Sequence, residues 1–302
     1  MSAVDSEQLG RELFVRSTLP GMSGEAAARL AAALSPMRAR AGDVLFEPGQ
    51  PPERLYLVLE GELALELPGE EPWLFGPRSI VGVIDVVADR LHVRRCVARK
   101  DSRLLVARGS MWLDLIDDDV LIARGAISTV AHGLHELWLE VAPKLPAPAF
   151  ERVSLPPVPL PLYEKILILR DAALLKNAGM QATVSLAHVA DDLELRAGQV
   201  LFEPGGESSA LYIVGSGSIE LAHAERRVVQ RQGPGALLGG PAALAAQLGA
   251  YAARAVEPST LLRIRDEDYF DQAEEHPELG RATLAYLMLE REPLLKLRPP
   301  TP

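Results

Sequence analysis

The chain has 302 residues and a mass of 32.6 kDa, the size of two ordinary domains rather than one. With 48% hydrophobic and 24% charged residues it has the make-up of a folded globular protein, not a disordered one. A net charge of −10 argues against non-specific attraction to nucleic acid or anionic lipid, and the single cysteine, Cys96, excludes an intramolecular disulfide framework and a cysteine-cluster zinc site.

The opening residues, MSAVDSEQLGRELF, carry Asp5, Glu7 and Glu12 and no apolar run, so no signal peptide is expected there. Glu25 to Leu34 is rich in alanine and leucine and predicts a helix. Val44, Leu45 and Phe46 precede a Pro-Gly turn. Leu55, Leu57 and Leu59 alternate up to Glu60-Gly61, and Leu63 and Leu65 continue the pattern. Period-two runs broken by glycine turns predict antiparallel hairpins. Arg124 to Ala142 predicts a second helix, on which Ile127, Val130, Leu134, Leu137 and Val141 form a heptad seam. Such a stripe must be covered, by a twin chain or from within the same chain. Seven of the 24 prolines fall between Pro143 and Pro161, which predicts a stiff, extended spacer.

Beyond that spacer the first half recurs. AGDVLFEPG (41–49) returns as AGQVLFEPG (197–205), and RLYLVLEGEL (54–63) as ALYIVGSGSI (210–219), both at an offset of 156. GPRSIVG (76–82) returns as GPGALLG (233–239), and DSRLL (101–105) as PSTLL (258–262), at an offset of 157. A repeat this long means two copies of one domain, not a solenoid. The division expected is 1–142, a linker at 143–162, and 163–302. Gln232 to Ala253 is uncharged but broken by glycine and proline, so it reads as a glycine-rich loop with a short helix, not a membrane span. In the second copy's closing helix Leu284 and Leu287 begin a seam, Arg291 breaks it, and Pro293 is expected to end the helix. That poor match favours a homodimer through the first copy's seam.

The order helix, AGxVLFEPG, LYxVxxGxxxL, GPxxxxG, variable cassette, DSRLL, closing helix resembles the cyclic-nucleotide-binding domain of catabolite-activator-type regulators and kinase regulatory subunits. The resemblance covers nearly the whole chain, twice. It implies a mainly β fold with flanking helices: two tandem eight-stranded β-rolls, of the double-stranded β-helix, jelly-roll-like kind. It also implies a ligand site in the cassette, where a glutamate after the glycine takes the ribose and an arginine further on neutralises the cyclic phosphate.

Both anchors are missing from both cassettes. In the first, Val81–Ala98, Gly82 is followed by Val83 at the glutamate position, and His92 stands at the arginine position. Asp85 is expected to cap the short helix and repel a phosphate. Arg94 shares the face of His92 and is read as a solvated or cross-strand-paired arginine. In the second, Leu238–Ala255, Gly239 is followed by Gly240 and Pro241, and Gly249 stands at the arginine position. Small and uncharged, this cassette is the one expected to keep some pocket.

In HGLHE, with Glu136, the pair His132 and His135 has no evident third metal ligand, and these are read as surface or interface histidines. Trp73, Trp112 and Trp138 are read as core or interface residues. There is no nucleophile elbow and no phosphate-binding loop lysine. The second copy runs out at LLKLRPPTP, so no helix-turn-helix module is expected. The reading is a cytoplasmic, non-enzymatic regulatory or scaffold protein that contacts an unidentified protein partner. It implies no cofactor, metal, nucleic acid or membrane. A sensor of cyclic nucleotide or another small ligand is the alternative.

Overall fold

The computed structural model describes residues 11, 15, 24–141, 149–205, 209–223, 228–239, 244 and 251–297. The chain divides into two compact units, Met1–Ala126 and Ile127–Pro302. The sequence repeat places its boundary at 142. Packing divides the chain earlier, inside a helix.

In the first unit α1 (Gly24–Ala33) precedes eight strands: β1 Ser35–Ala39, β2 Val44–Phe46, β3 Arg54–Glu60, β4 Leu63–Glu66, β5 Trp73–Phe75, β6 Ile80–Val81, β7 Arg95–Ala98 and β8 Ser102–Arg108. They form two four-stranded antiparallel sheets, β1-β8-β3-β6 and β2-β7-β4-β5. Phe46, Tyr56, Val58, Leu63, Leu65, Val81, Cys96 and Leu104 meet in one buried cluster. The short helix α2 (Val83–Val87) lies between β6 and β7, and α3 (Gly109–Asp118) follows β8. Trp112, Leu115 and Ile116 bury one stripe of α3 at helical spacing.

The hairpin expected at Glu60-Gly61 does not form. β3 and β4 are consecutive in the chain but belong to different sheets, so the chain turns a corner there. Gly61 makes the corner with φ 92°, and a Cβ on it would lie 2.2 Å from Ser102 Oγ. The Glu62 N–H then donates to that hydroxyl at 3.1 Å. Gly217 repeats the device, with φ 80° and Ser259 Oγ in the same place. A bulge between Val58 and Glu60 interrupts the register with β8 just before the corner. Tyr56 and Val58 therefore face the roll interior, while Leu55 and Leu57 are buried outside that cluster.

The helix α4 (Val120–Val141) begins in the first unit, and its residues from Ile127 on belong to the second. The rest of the second unit has α5 Leu162–Asp171, a 3-10 turn at Ala173–Leu175, and α6 Met180–Val189. Eight strands follow: β9 Asp191–Leu195, β10 Val200–Phe202, β11 Ala210–Ser216, β12 Ile219–His223, β13 Val228–Gln232, β14 Leu237–Leu238, β15 Ala252–Ala255 and β16 Ser259–Arg265. Helices α7 Asp266–Glu275 and α8 Pro277–Leu295 close it. The sheets β10-β15-β12-β13 and β14-β11-β16-β9 reproduce the first roll strand for strand. Pro293 lies inside α8 and does not end it. The helix runs on to Leu295, because a proline in the last turn removes only one hydrogen bond.

Residues 149–161 are not a free spacer. Phe150 packs on Gly233 and Leu155 on Gly215. Leu160 is buried, and its N–H donates to Asp192 Oδ2 at 2.7 Å. Lys165 of α5 pairs with the same carboxylate at 2.9 Å. Apolar side chains between the prolines give this segment a reason to dock that proline content alone hides.

The heptad seam expected to join two chains is covered within one. Ile127, Leu134, Leu137 and Val141 are 0–5% exposed in the single chain, and Val130 is half-buried. Trp138 of α4 packs against the interior cluster of the second roll. Leu134→Asp should therefore destabilise the second unit by about 3–5 kcal/mol, the cost of an unpaired buried charge. Urea denaturation with light scattering checks this. If the substitution instead splits a dimer into stable, folded monomers, the seam is intermolecular.

Candidate functional site

The first cassette begins at Gly82, whose φ of 94° and close approach to the Arg54 carbonyl exclude a side chain: a Cβ would lie 2.8 Å from that oxygen. Gly82 caps α2 with no side-chain hydrogen bond. Val83, at the glutamate position, is half-buried and offers nothing polar. Asp85 does not cap the helix as expected. Its carboxylate accepts from Arg90 Nε at 2.7 Å and from His92 Nδ1 at 2.8 Å. Two side-chain donors, one of them a guanidinium, satisfy the carboxylate with charge-assisted hydrogen bonds.

His92, at the arginine position, is 4% exposed. Its ring stacks on Phe46 with centroids 3.7 Å apart and planes 11° from parallel. Arg94 is neither solvated nor paired on the surface. It is 6% exposed, its guanidinium lies 3.7 Å over the Trp73 ring, and it bonds to Glu70. Among the described residues its Nη1 is buried with no hydrogen-bond partner. The shared parity of His92 and Arg94 holds, since both point inward while Leu91, Val93 and Arg95 are exposed. Burial, with Glu66 nearby, pushes the Cys96 thiol up to about 12, so it is not a reactive nucleophile.

In the second cassette Gly240, Pro241 and Gly249 lie outside the described residues. Gly239 has φ 71°, as its counterpart Gly82 does in kind. Tyr251, which the repeat aligns with Arg94, is 6% exposed. It is bonded to the backbone of Gly239. Phe202, Trp138 and His135 surround its ring at centroid distances of 5.8, 5.7 and 6.2 Å. Tyr251 and Trp138 thus help pack the interior of the second roll. An open cavity of about 270 Å³ lies beside the first cassette. The sequence pattern did not single out Tyr251. The signal was available: Tyr251 lies two residues beyond Gly249, the spacing that puts Arg94 on the face of His92.

His135 is buried against Tyr251, His132 is exposed, and Trp112 is a buried core residue of α3. Among the described residues no group of three His, Cys, Asp or Glu side chains is placed to hold a metal ion. No described helix is long and apolar enough to cross a membrane.

Burial pushes the Tyr251 phenol up to about 12 from its ordinary value near 10, against a smaller lowering by the Gly239 backbone. The folded state therefore holds this proton more tightly than the unfolded chain. The sign follows: its contribution is complete below about pH 10 and is lost as pH rises toward 12. Burial raises Tyr269 and Tyr286 in the same direction. The stability of the second unit should fall above about pH 10, and Tyr251→Phe should reduce that slope. Denaturant titrations across alkaline pH, followed by phenolate absorbance, measure it.

Residues 36–119 and 192–276 each match the family model described as the cyclic nucleotide-binding domain. Among solved structures the chain is similar to the regulatory domain of Toxoplasma gondii PKA with cAMP, at 12% identity over 93% of this chain and 95% of that one, with a TM-score of 0.34. It is similar to the regulatory subunit of a cAMP-independent protein kinase A from Trypanosoma brucei, at 14% identity over 98% and 93%, with a TM-score of 0.37. A cyclic nucleotide-binding-like protein from Brucella abortus is 34% identical over 37% of this chain and 98% of that one, with a TM-score of 0.33. No curated protein matches.

Proposed function

The chain belongs to the cyclic-nucleotide-binding-domain family, and we propose that it is a non-enzymatic regulatory or scaffold protein whose rolls do not take cyclic AMP or cyclic GMP. The observation that carries this reading is the state of the two cassettes. In the first, His92 replaces the phosphate arginine and is already bonded to a carboxylate, Asp85. An incoming cyclic phosphate finds a carboxylate, already held by Arg90 and His92, where the family supplies a free arginine. In the second, Tyr251 is bonded to the backbone of Gly239 and packed beside Trp138. Loss of a buried, charged hydrogen-bond pair typically costs about 2–5 kcal/mol.

With neither cassette carrying the polar anchors, the output of the protein is contact with another protein, in the cytoplasm. The repeat boundaries 1–142 and 163–302 mark its two duplicated units, joined by the linker 143–162. A homodimer is no part of this reading, since the seam of α4 is already buried. Calorimetric titration of the full chain tests it. Neither nucleotide should bind with a dissociation constant below about 100 μM. A low-micromolar constant that is lost on altering either cassette overturns the reading and makes the protein a nucleotide sensor.

A further inference from the structure

We propose that the outer face of the sheet β2-β7-β4-β5 in the first roll is a self-association surface, covered by the same face of a second copy of this chain. One apolar rung crosses all four strands there. Val44 pairs with Val97, Val97 with Ala64, and Ala64 with Leu74. Their neighbours Leu63, Leu65, Cys96 and Ala98 belong to the interior cluster, so by alternation this rung points outward. Val44 at one end is 40% exposed and Leu74 at the other 58%. Leu91 and Val93 extend the outward line of β7, since His92 and Arg94 beside them are buried and residue 92 exchanges backbone hydrogen bonds with Gly49 and Gln50. Within residues 35–108 these four are the exposed large aliphatic or aromatic side chains, and all four lie on this one face.

The duplicated roll shows that the fold does not require such a row. At the equivalent rung Val200 pairs with Arg254, Arg254 with Glu220, and Glu220 with Arg231. The same two sheets thus close with charges where the first roll has Val97, Ala64 and Leu74. Among the described residues no strand of the second roll carries an exposed large apolar side chain. An exposed apolar row that the fold can do without marks an interaction surface.

The flanking charges identify the occupant. On either side of the apolar rung Arg95 stands opposite Glu66, and Arg99 opposite Glu62. The face is therefore basic along β7 and acidic along β4. A two-fold axis running along the strands, midway between them, lays each β7 over the β4 of the other copy. Arg95 then faces the second copy's Glu66, Arg99 its Glu62, Val97 its Ala64 and Leu74 its Val44. Every rung is complementary to itself, which is what an isologous contact requires. A uniformly acidic or basic partner would meet like charge along one of the two strands. Within the chain Arg95 reaches Glu47 at 3.2 Å and Glu66 at 3.8 Å, Arg99 reaches Glu66 at 3.4 Å, and Lys100 reaches Glu62 at 3.3 Å. These are surface pairs of small worth, free to be shared across an interface. Three strand spacings of about 4.8 Å and eight residue steps of about 3.4 Å give a face of roughly 14 by 27 Å. That is short of the roughly 800 Å² per partner of a standard interface, so the dimer is weak. The surface goes beyond the regulatory reading and does not depend on it, and the seam of α4 has no part in it.

Sedimentation velocity on the full chain from about 5 to 300 μM tests this. The average mass should rise from 32.6 kDa toward twice that value. The dissociation constant should be about 10–100 μM. Leu74→Glu, at an exposed position, should weaken association at least about tenfold and leave the thermal midpoint unchanged. Arg95→Glu should weaken it too, and Arg95→Glu combined with Glu66→Arg should restore it. That charge swap carries the test if Leu74→Glu does not fold. Leu167→Glu, at an exposed apolar position on α5, should change nothing. A chain still monomeric at about 300 μM overturns the proposal and leaves the face to a different protein. A dimer that persists in Leu74→Glu, or that Leu167→Glu breaks equally, overturns it as well. The cyclic nucleotide titration reads the preceding proposal separately.

Discussion

A roll made of two antiparallel sheets encloses space, and that space must be filled and its polar groups satisfied. In the first roll the Asp85–His92 contact meets that requirement. Asp85 is nearly buried, so its charge needs partners, and Arg90 and His92 supply them at hydrogen-bond distance. His92 in turn needs a surface to lie on, and Phe46 provides it. Removing Asp85 would strand a guanidinium and an imidazole together. The cassette is therefore locked as one unit, and its geometry follows from keeping a single carboxylate satisfied.

The second roll answers the same constraint with aromatic surface. Phe46–Tyr56 of the first roll and Phe202–Tyr212 of the second are equivalent pairs with nearly equal centroid distances, 6.1 and 6.0 Å. The rolls part company two residues beyond the arginine position. Arg94 there needs Glu70 and Trp73, while Tyr251 needs only ring contacts and one backbone bond. In the first roll the tryptophan comes from β5. In the second, β13 carries Gln230 at that register, opposite Leu221 as Trp73 is opposite Leu65. The aromatic arrives from α4 as Trp138 instead. This is the physical reason α4 from Ile127 on belongs to the second unit although it continues the first copy in sequence.

The repeat, the strand-rich core and the helices were legible because spacing and alternation are properties of sequence. The corner at Gly61 was not: alternation of Leu55, Leu57 and Leu59 looks the same whether the next strand pairs beside them or crosses to another sheet. Only the clash that a Cβ would make with Ser102, forty-one residues away, decides it. The cover over Leu134 was illegible for the same reason, since a heptad seam states that a partner is needed and not which one. Absence of the polar anchors at Val83 and His92 could be read directly. That Asp85 turns to His92 could not, because it depends on where residues 90–92 return after the helix. The docking of 149–161 was hidden by prolines that drew attention from Phe150, Leu155 and Leu160.

These packing facts bear on how such a chain can respond to anything. A ligand shifts a conformation only by its differential affinity for the two states. In the second roll, any state with α4 released exposes Ile127, Leu134, Leu137 and Val141 along with Trp138. Each large apolar side chain brought from burial to water costs about 1.5–3 kcal/mol, so releasing the whole stripe is out of reach for a weak small ligand. A protein partner that offers an apolar groove of its own can compensate such a loss, because it buries the same stripe again. Displacing α4 from the second roll therefore requires a partner that covers Trp138 and the seam, since a small ligand alone is too weak to offset that exposure.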